Sequence, residues 1–215
     1  MTTATRSRNL VPDTDDSLVT VEFRLEGVAP LLMHAPTLID PIAPLTKEIA
    51  KITSKKASQR TIADIERLTR LEWEAGLYHD EKLGPYVPAS NIKQVLRGAA
   101  GRWKLGAPIA RGLTFEHRRL PVEYDGPRDK DGLYETGYVS SLPVKNGGFN
   151  AGRVMRARPM FEEWAIEGRA FLDPHEVGLE DLGLIFARAQ RMGLGDYRPE
   201  YGLFTATVTV ADDDR

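Results

Sequence analysis

Between residues 19 and 25 apolar and polar side chains alternate, with Val19, Val21, Phe23 and Leu25 on one side, and this period of two predicts a half-buried strand. Pro30, Pro36, Pro41 and Pro44 then punctuate an irregular stretch that holds Leu31-Leu-Met-His34 and Leu38-Ile-Asp40. Residues 45 to 77 read as helical with a break around Ser54 to Ser58. Leu45, Ile49 and Ile52 share one side of the first half, while Lys47, Lys51 and Lys55 recur four residues apart on another. Ile62, Ile65, Leu68, Leu71 and Trp73 carry the second half.

The helix after Pro88 has the clearest stripe, formed by Ile92, Val95, Leu96, Ala99, Ala100 and Trp103, with Ser90 placed to cap its N-terminus. At about 100° per residue Lys93, Arg97 and Lys104 fall within about 40° of one another at the edge of that stripe, where they can line a groove. Residues 113 to 124 predict a strand pair or bent strand, and Asp125-Gly-Pro and Asp131-Gly mark turns. Trp164, Ile166, Phe171 and Leu172 mark another strand. Leu179, Leu182, Ile185, Phe186, Ala189 and Met192 form a helix face, with Arg188 and Arg191 near its negative end. A final strand alternates Phe204, Ala206, Val208 and Val210 against Leu203, Thr205, Thr207 and Thr209.

Two segments between these elements carry candidate chemistry. Thr136 to Phe161 contains no acidic residue but holds Lys145, Arg153, Arg156 and Arg158 among Tyr138, Phe149 and Phe161, with Gly147, Gly148 and Gly152. Such a segment reads as a projecting finger whose cations meet phosphates and whose aromatics meet bases. Gly193-Leu-Gly-Asp-Tyr-Arg-Pro-Glu-Tyr-Gly202 follows the last helix; its glycines can take positive φ and leave N–H groups open beside Arg198, which suits an anionic backbone.

Composition narrows the partner. The 215 residues contain 29 Lys plus Arg against 31 Asp plus Glu, and the two polar tails, 1–17 and 212–215, hold much of the acidic excess. The body, 18–211, is close to neutral, so a polyanion must be met by a local patch rather than by long-range steering. Zero cysteines exclude disulfides and thiolate metal sites and are compatible with a reducing compartment, so the expected setting is the cytoplasm. No apolar run is long enough to span a membrane. His34, His79, His117 and His175 lack ligand spacing and read as surface or core histidines, and no Gly-x-Ser-x-Gly or phosphate-loop motif supports a hydrolase or nucleotide triphosphatase.

The order of elements is β, helical insertion (about 45–80), α, β, projecting segment (about 125–160), β, α, glycine loop, β. This predicts an α+β fold of the ferredoxin-like or RRM-like βαββαβ kind with a thumb-like hairpin, but without the aromatic sheet signatures of an ordinary RRM. Pro85-Tyr-Val-Pro-Ala-Ser-Asn-Ile-Lys93 with Arg97, and Gly193, Gly195, Arg198, Gly202 and Phe204, resemble two motifs of the RAMP superfamily of CRISPR-associated proteins, specifically the backbone subunits that polymerise along guide RNA. Ala89, Asn91 and Gln94 depart from the first motif. The resemblance implies that Ser90, Lys93 and Arg97 contact a nucleic-acid backbone, that the glycine loop supports the same strand, and that residues 137–158 form a thumb reaching the neighbouring subunit. It also implies a helical filament, with copies of itself and other effector-complex subunits as partners.

The expected function is binding of single-stranded nucleic acid, RNA favoured over DNA, through Ser90, Lys93, Arg97, Lys104, Lys145, Arg153, Arg156, Arg158, Gly193, Gly195 and Arg198, with no cofactor. One alternative is a magnesium-dependent endoribonuclease in which Asp40, placed after the first strand as in target-cleaving relatives of that family, holds the metal. Another is a single-stranded-DNA-binding or purely structural assembly protein of a phage.

Overall fold

The computed structural model describes residues 18–145 and 153–211; the side chains at 57, 144, 145, 153 and 154 fall outside that description. Along the chain come β1 (Val19–Gly27), β2 (Leu31–Leu32), α1 (Pro44–Thr53), α2 (Ile62–Gly76), β3 (His79–Asp80) and β4 (Gly84–Pro88). Next are α3 (Ala89–Ala100), α4 (Gly106–Gly112), β5 (Leu113–Phe115), β6 (Arg119–Pro121) and α5 (Lys130–Glu135). The chain closes with β7 (Val139–Lys145), β8 (Arg153–Phe161), β9 (Ala165–Leu172), α6 (Leu179–Ala189) and β10 (Phe204–Val210). The fold is a mixture of helices and antiparallel sheets.

The main sheet has the order β10-β1-β9-β5, every neighbour antiparallel. Its register explains the alternation in the sequence. Val21, Phe23 and Leu25 lie opposite Ala170, Gly168 and Ile166 on β9 and opposite Val210, Val208 and Ala206 on β10, so one face is apolar. Gly168 makes room for Phe23, because a Cβ there would stand 2.6 Å from the Phe23 ring. That ring meets Phe115 edge-on at 5.6 Å and Phe186 of α6 at 6.0 Å. The buried stripes of α3 (Ile92, Val95, Leu96, Ala99) and α6 (Leu182, Ile185, Phe186, Ala189) complete this core. The other face of the sheet is polar. At its centre Arg24 bonds Glu26 and Glu123, each at 2.9 Å, and also Glu167, while Arg169 bonds Glu22 at 2.8 Å.

The helical insertion is α1 and α2. Thr61 and Asp64 form a capping box at the start of α2, each side chain accepting the other's backbone N–H, at 3.1 and 3.0 Å. Trp73 of α2 is fully buried and donates its indole N–H to the Tyr138 carbonyl at 2.7 Å, which ties the insertion to the hairpin of β7 and β8. That hairpin pairs Val139 with Pro159 through to Lys145 with Arg153.

Several expectations change. Residues 113 to 124 are not one strand pair: β5 joins the main sheet beside β9, whereas β6 pairs with β4 in a separate three-stranded sheet. The Asp131-Gly turn is inside a short helix, α5, started by the Asp129 side chain accepting from Gly132 N at 2.8 Å. Ser90 is not the cap of α3, which begins at Ala89 directly after Pro88 and has no side-chain cap. The helix also stops at Ala100, and Lys104 takes φ +60° at the end of a 3-10 turn, so helical spacing does not carry it onto the edge shared by Lys93 and Arg97. The tails 1–17 and 212–215 and the finger tip 146–152 lie outside the described residues.

Candidate functional site

Just after β1 the chain turns at Pro30, and the two-residue β2 pairs Leu31 with Phe161 and Leu32 with Met160 of β8. Continuing that register sets His34 opposite Arg158. Met33 and Ala35 are buried, held by Met33 N to Pro159 O at 2.9 Å and Ala35 N to Gly76 O at 2.8 Å, and His34 between them projects outward.

The glycine loop closes the same place. Asp196 N donates to the Leu32 carbonyl at 2.9 Å and Gly202 N to the Pro30 carbonyl at 2.8 Å, so the loop lies along the β1–β2 turn. Gly195 has φ +87°, and a Cβ there would sit 2.2 Å from Leu32 O; at Gly202, φ +70°, it would sit 1.7 Å from Leu194 O. These glycines are required by contact with the protein's own backbone. Gly193 is buried and donates its N–H to Ala189 O at 3.3 Å, closing α6, so that N–H is not open to a ligand as the sequence suggested.

This docking brings three ionisable groups together. Asp196 Oδ2 receives His34 Nδ1 at 3.2 Å and Arg158 Nε at 3.3 Å, while Oδ1 accepts from Tyr197 N at 3.0 Å. The His34 contact above all, then the Tyr197 N–H and Arg158, hold the Asp196 carboxyl at about 2 against the opposing cost of its burial. Tyr197 in turn donates its hydroxyl to Pro143 O at 3.1 Å, linking the loop to β7. Arg158 is only 10% exposed and also donates to Ala157 O at 3.1 Å. Two residues back on the same face of β8, Arg156 pairs with Glu72 of α2.

Between the helical insertion and β8 lies an open cleft of about 770 Å³. Leu38, Ile49, Ile65, Leu68 and Met155 form its apolar surface, and His34, Arg60, Arg156 and Arg158 line it with Glu72 as the one carboxylate. Arg60 is anchored by Nη2 to Thr53 O at 2.7 Å, yet its Nε is buried without a hydrogen-bond partner among the described residues. A smaller pocket of about 170 Å³ adjoins at His34 and Asp196 and reaches Tyr78 and Asn91.

The other sequence-derived candidates are dispersed. Lys93 and Arg97 project from α3 roughly 200° and 240° around the helix from Asn91. It is Asn91 that lines the loop pocket and Gly98 that meets Met192, whereas the Arg97 Cγ is beside Gly106 of α4. Helix α3 therefore turns Asn91, not its cations, toward the glycine loop. Ser90, Arg97, Lys104 and Arg198 are exposed, and Lys93 is partly so. Lys145 and Arg153 are register partners near the finger tip, their side chains outside the described residues. Asp40 ends a 3-10 turn and accepts from Ile42 N at 2.9 Å, the geometry of an Asx turn. Among the described residues no group of three His, Asp or Glu side chains is placed to hold a metal ion.

His34, Asp196, Glu72 and Arg60 were not sequence candidates. The available signal was slight: an outward His between two apolar residues after a Pro turn. Compared with known proteins, the chain matches no protein-family model and no curated protein.

Proposed function

We propose that this protein binds single-stranded nucleic acid, RNA in preference to DNA, in the cleft between the helical insertion and β8, and assembles along the strand with further copies of itself. The observation that carries the reading is the cleft itself, where Arg60, Arg156 and Arg158 stand beside an aliphatic surface. Phosphates need the guanidinium groups and unstacked bases need an apolar surface, and the two occur together here. Arg60, held by Nη2 to the Thr53 carbonyl at 2.7 Å, brings a third guanidinium to the lining of the cleft.

The fold supports the same family of readings. The order β10-β1-β9-β5, with α3 following β1 and α6 preceding β10, fits a ferredoxin-like arrangement extended by α1, α2 and the β7–β8 hairpin. Together with the Pro85–Lys93 segment and the Gly193–Gly202 loop it favours a RAMP-like protein. The strand path inferred here differs from that of the sequence motifs, since it runs by Arg60 and Arg156 rather than by Lys93 and Arg97.

The test is a salt titration of binding to a fluorescent oligouridylate and to its deoxy counterpart. Affinity falls with rising salt, and Arg60→Ala reduces the slope by about one counterion, whereas Lys93→Ala leaves it unchanged. Absent or salt-independent binding overturns the proposal. Assembly that proceeds equally without nucleic acid, with no absorbance excess at 260 nm, would point instead to a structural protein.

A further inference from the structure

We propose that the open edge of β10 is a docking site for the same edge of a second copy of this chain, the two strands pairing antiparallel about a two-fold axis and joining the two four-stranded sheets into one. The parity of the hydrogen bonds places the free groups. Val28 N donates to Leu203 O at 2.7 Å and Ala211 N to Thr20 O at 2.9 Å, and in the register of β1 with β10 these contacts fall on the same alternate pairs as Glu22–Thr209, Arg24–Thr207 and Glu26–Thr205. The backbone N–H and C=O groups of Phe204, Ala206, Val208 and Val210 therefore point away from β1, and β10 has no other strand partner among the described residues. Every other sheet edge is blunted. β2 and β3 have two residues and β5 three, β6 carries Arg119 and Pro121 within its three, and β7 carries Pro143 and Lys145. By contrast β10 runs for seven residues, and from Phe204 to Ala211 the chain holds no charge and no proline.

The strand is complementary to itself. With Thr207 on the axis, Phe204 faces Val210 of the other copy and Ala206 faces Val208, so every outward-facing residue of each strand meets an outward-facing residue and exchanges both backbone bonds with it. Moving the axis to Ala206 or to Val208 leaves one residue at the end of each strand without a partner. The side chains agree with this register. On the polar side Thr205 faces Thr209 and no like charges meet, and on the apolar side Val210, 53% exposed in the single chain, comes beside Phe204 of the other copy. Residues 1–17 of the same chain would reach this edge only by crossing the end of β10, which takes Asp13, Asp15 and Asp16 past Asp212, Asp213 and Asp214. The pairing does not rest on the nucleic-acid reading: it closes at two copies, whereas assembly along a nucleic-acid strand continues. A single strand pair is a small interface, so the dimer dissociates on dilution.

The experiment uses the full chain, freed of nucleic acid by nuclease and high salt, in sedimentation equilibrium. The mass rises from one chain toward two between about 1 μM and about 100 μM and goes no further. Thr207→Lys, at an exposed position, sets like charges opposite each other across the axis and keeps the chain monomeric over that range, with an unfolding midpoint close to that of wild type. Cysteine, which the chain lacks, reads the register. The two Thr207 positions form a non-hydrogen-bonded pair with Cα atoms about 4.5 Å apart, within reach of a disulfide, whereas the two Thr205 positions lie about 13 Å apart. In a glutathione redox buffer Thr207→Cys therefore cross-links into a dimer and Thr205→Cys does not. A wild-type chain that stays monomeric at about 100 μM, a mass that climbs past two chains, equal cross-linking of the two cysteine variants, or a Thr207→Lys variant that associates like wild type overturns the proposal. A monomer whose Val208 amide is protected from hydrogen exchange assigns the edge to residues 1–17 and overturns it as well.

Discussion

Glu72 of α2 and Arg156 of β8 form an ion pair in which only one member is buried: the glutamate is 5% exposed and the arginine 32%. The Glu72 carboxylate also faces Ala157 N at 3.4 Å, too long to replace the guanidinium as a partner. The pair pins the helical insertion to the strand that carries Arg158 and faces His34.

That asymmetry makes the two halves of the pair unequal. Arg156→Met strands a buried carboxylate and is expected to cost about 3 kcal/mol, whereas Glu72→Gln leaves an arginine that can reach water and costs about 1 kcal/mol. Urea unfolding of the two variants measures the difference; equal costs would show that the pair is not desolvated as described.

The glycine loop predicts opposite outcomes for two substitutions of the same kind. Gly202→Ala requires a left-handed backbone and places a Cβ against Leu194 O, so a loss of at least about 2 kcal/mol is expected. Gly183→Ala, inside α6 with nothing within 4 Å of the new Cβ, stabilises by about 0.5–1 kcal/mol. Denaturant midpoints read both.

Asp196 contributes a pH-dependent part of the stability. Its carboxyl is depressed from the ordinary 3.8 to about 2, chiefly by His34, so the unfolded chain binds the proton first as pH falls. The contribution is complete above the ordinary value and is lost as pH drops through about 2. Allowing for partial exposure it amounts to about 1–2 kcal/mol. Asp64, Asp80, Asp129 and Glu176 are also depressed, so the informative measurement is the gap between wild type and Asp196→Asn. That gap is widest near pH 5 and closes toward pH 2; a gap constant with pH contradicts the assignment.

On the open sheet face Arg24 separates Glu26, Glu123 and Glu167. Arg24→Met leaves three like charges together, and the variant should gain stability on going from low to high NaCl more than wild type does. Parallel thermal melts at two salt concentrations decide it, and an unchanged salt response would show that the cluster is electrostatically silent.

Much of the main sheet and its two packed helices was legible in the sequence. Val19 to Leu25, the α3 stripe, the α6 stripe and the last strand each repeat with the period of their own geometry against one core, and such periodicity is a local property. The positive φ of the glycine loop was also legible, because only glycine tolerates it. The short elements were not: β2 has two residues, and α5 has six with an Asp-Gly in its first turn that reads as a turn, so neither repeats its period often enough to show.

The roles of the charged residues depended on the tertiary structure. An acid-free run suggested that Arg156 and Arg158 are open cations, but Glu72 and Asp196, from segments far away in the chain, take them as partners once β8 packs between α2 and the glycine loop. The same packing lifts His34 from a surface histidine to a ring oriented by a carboxylate. Periodicity tells which face of an element is buried; which charges meet is settled only when distant elements dock, since an ion pair acts over a few ångströms of space and leaves no trace in linear spacing.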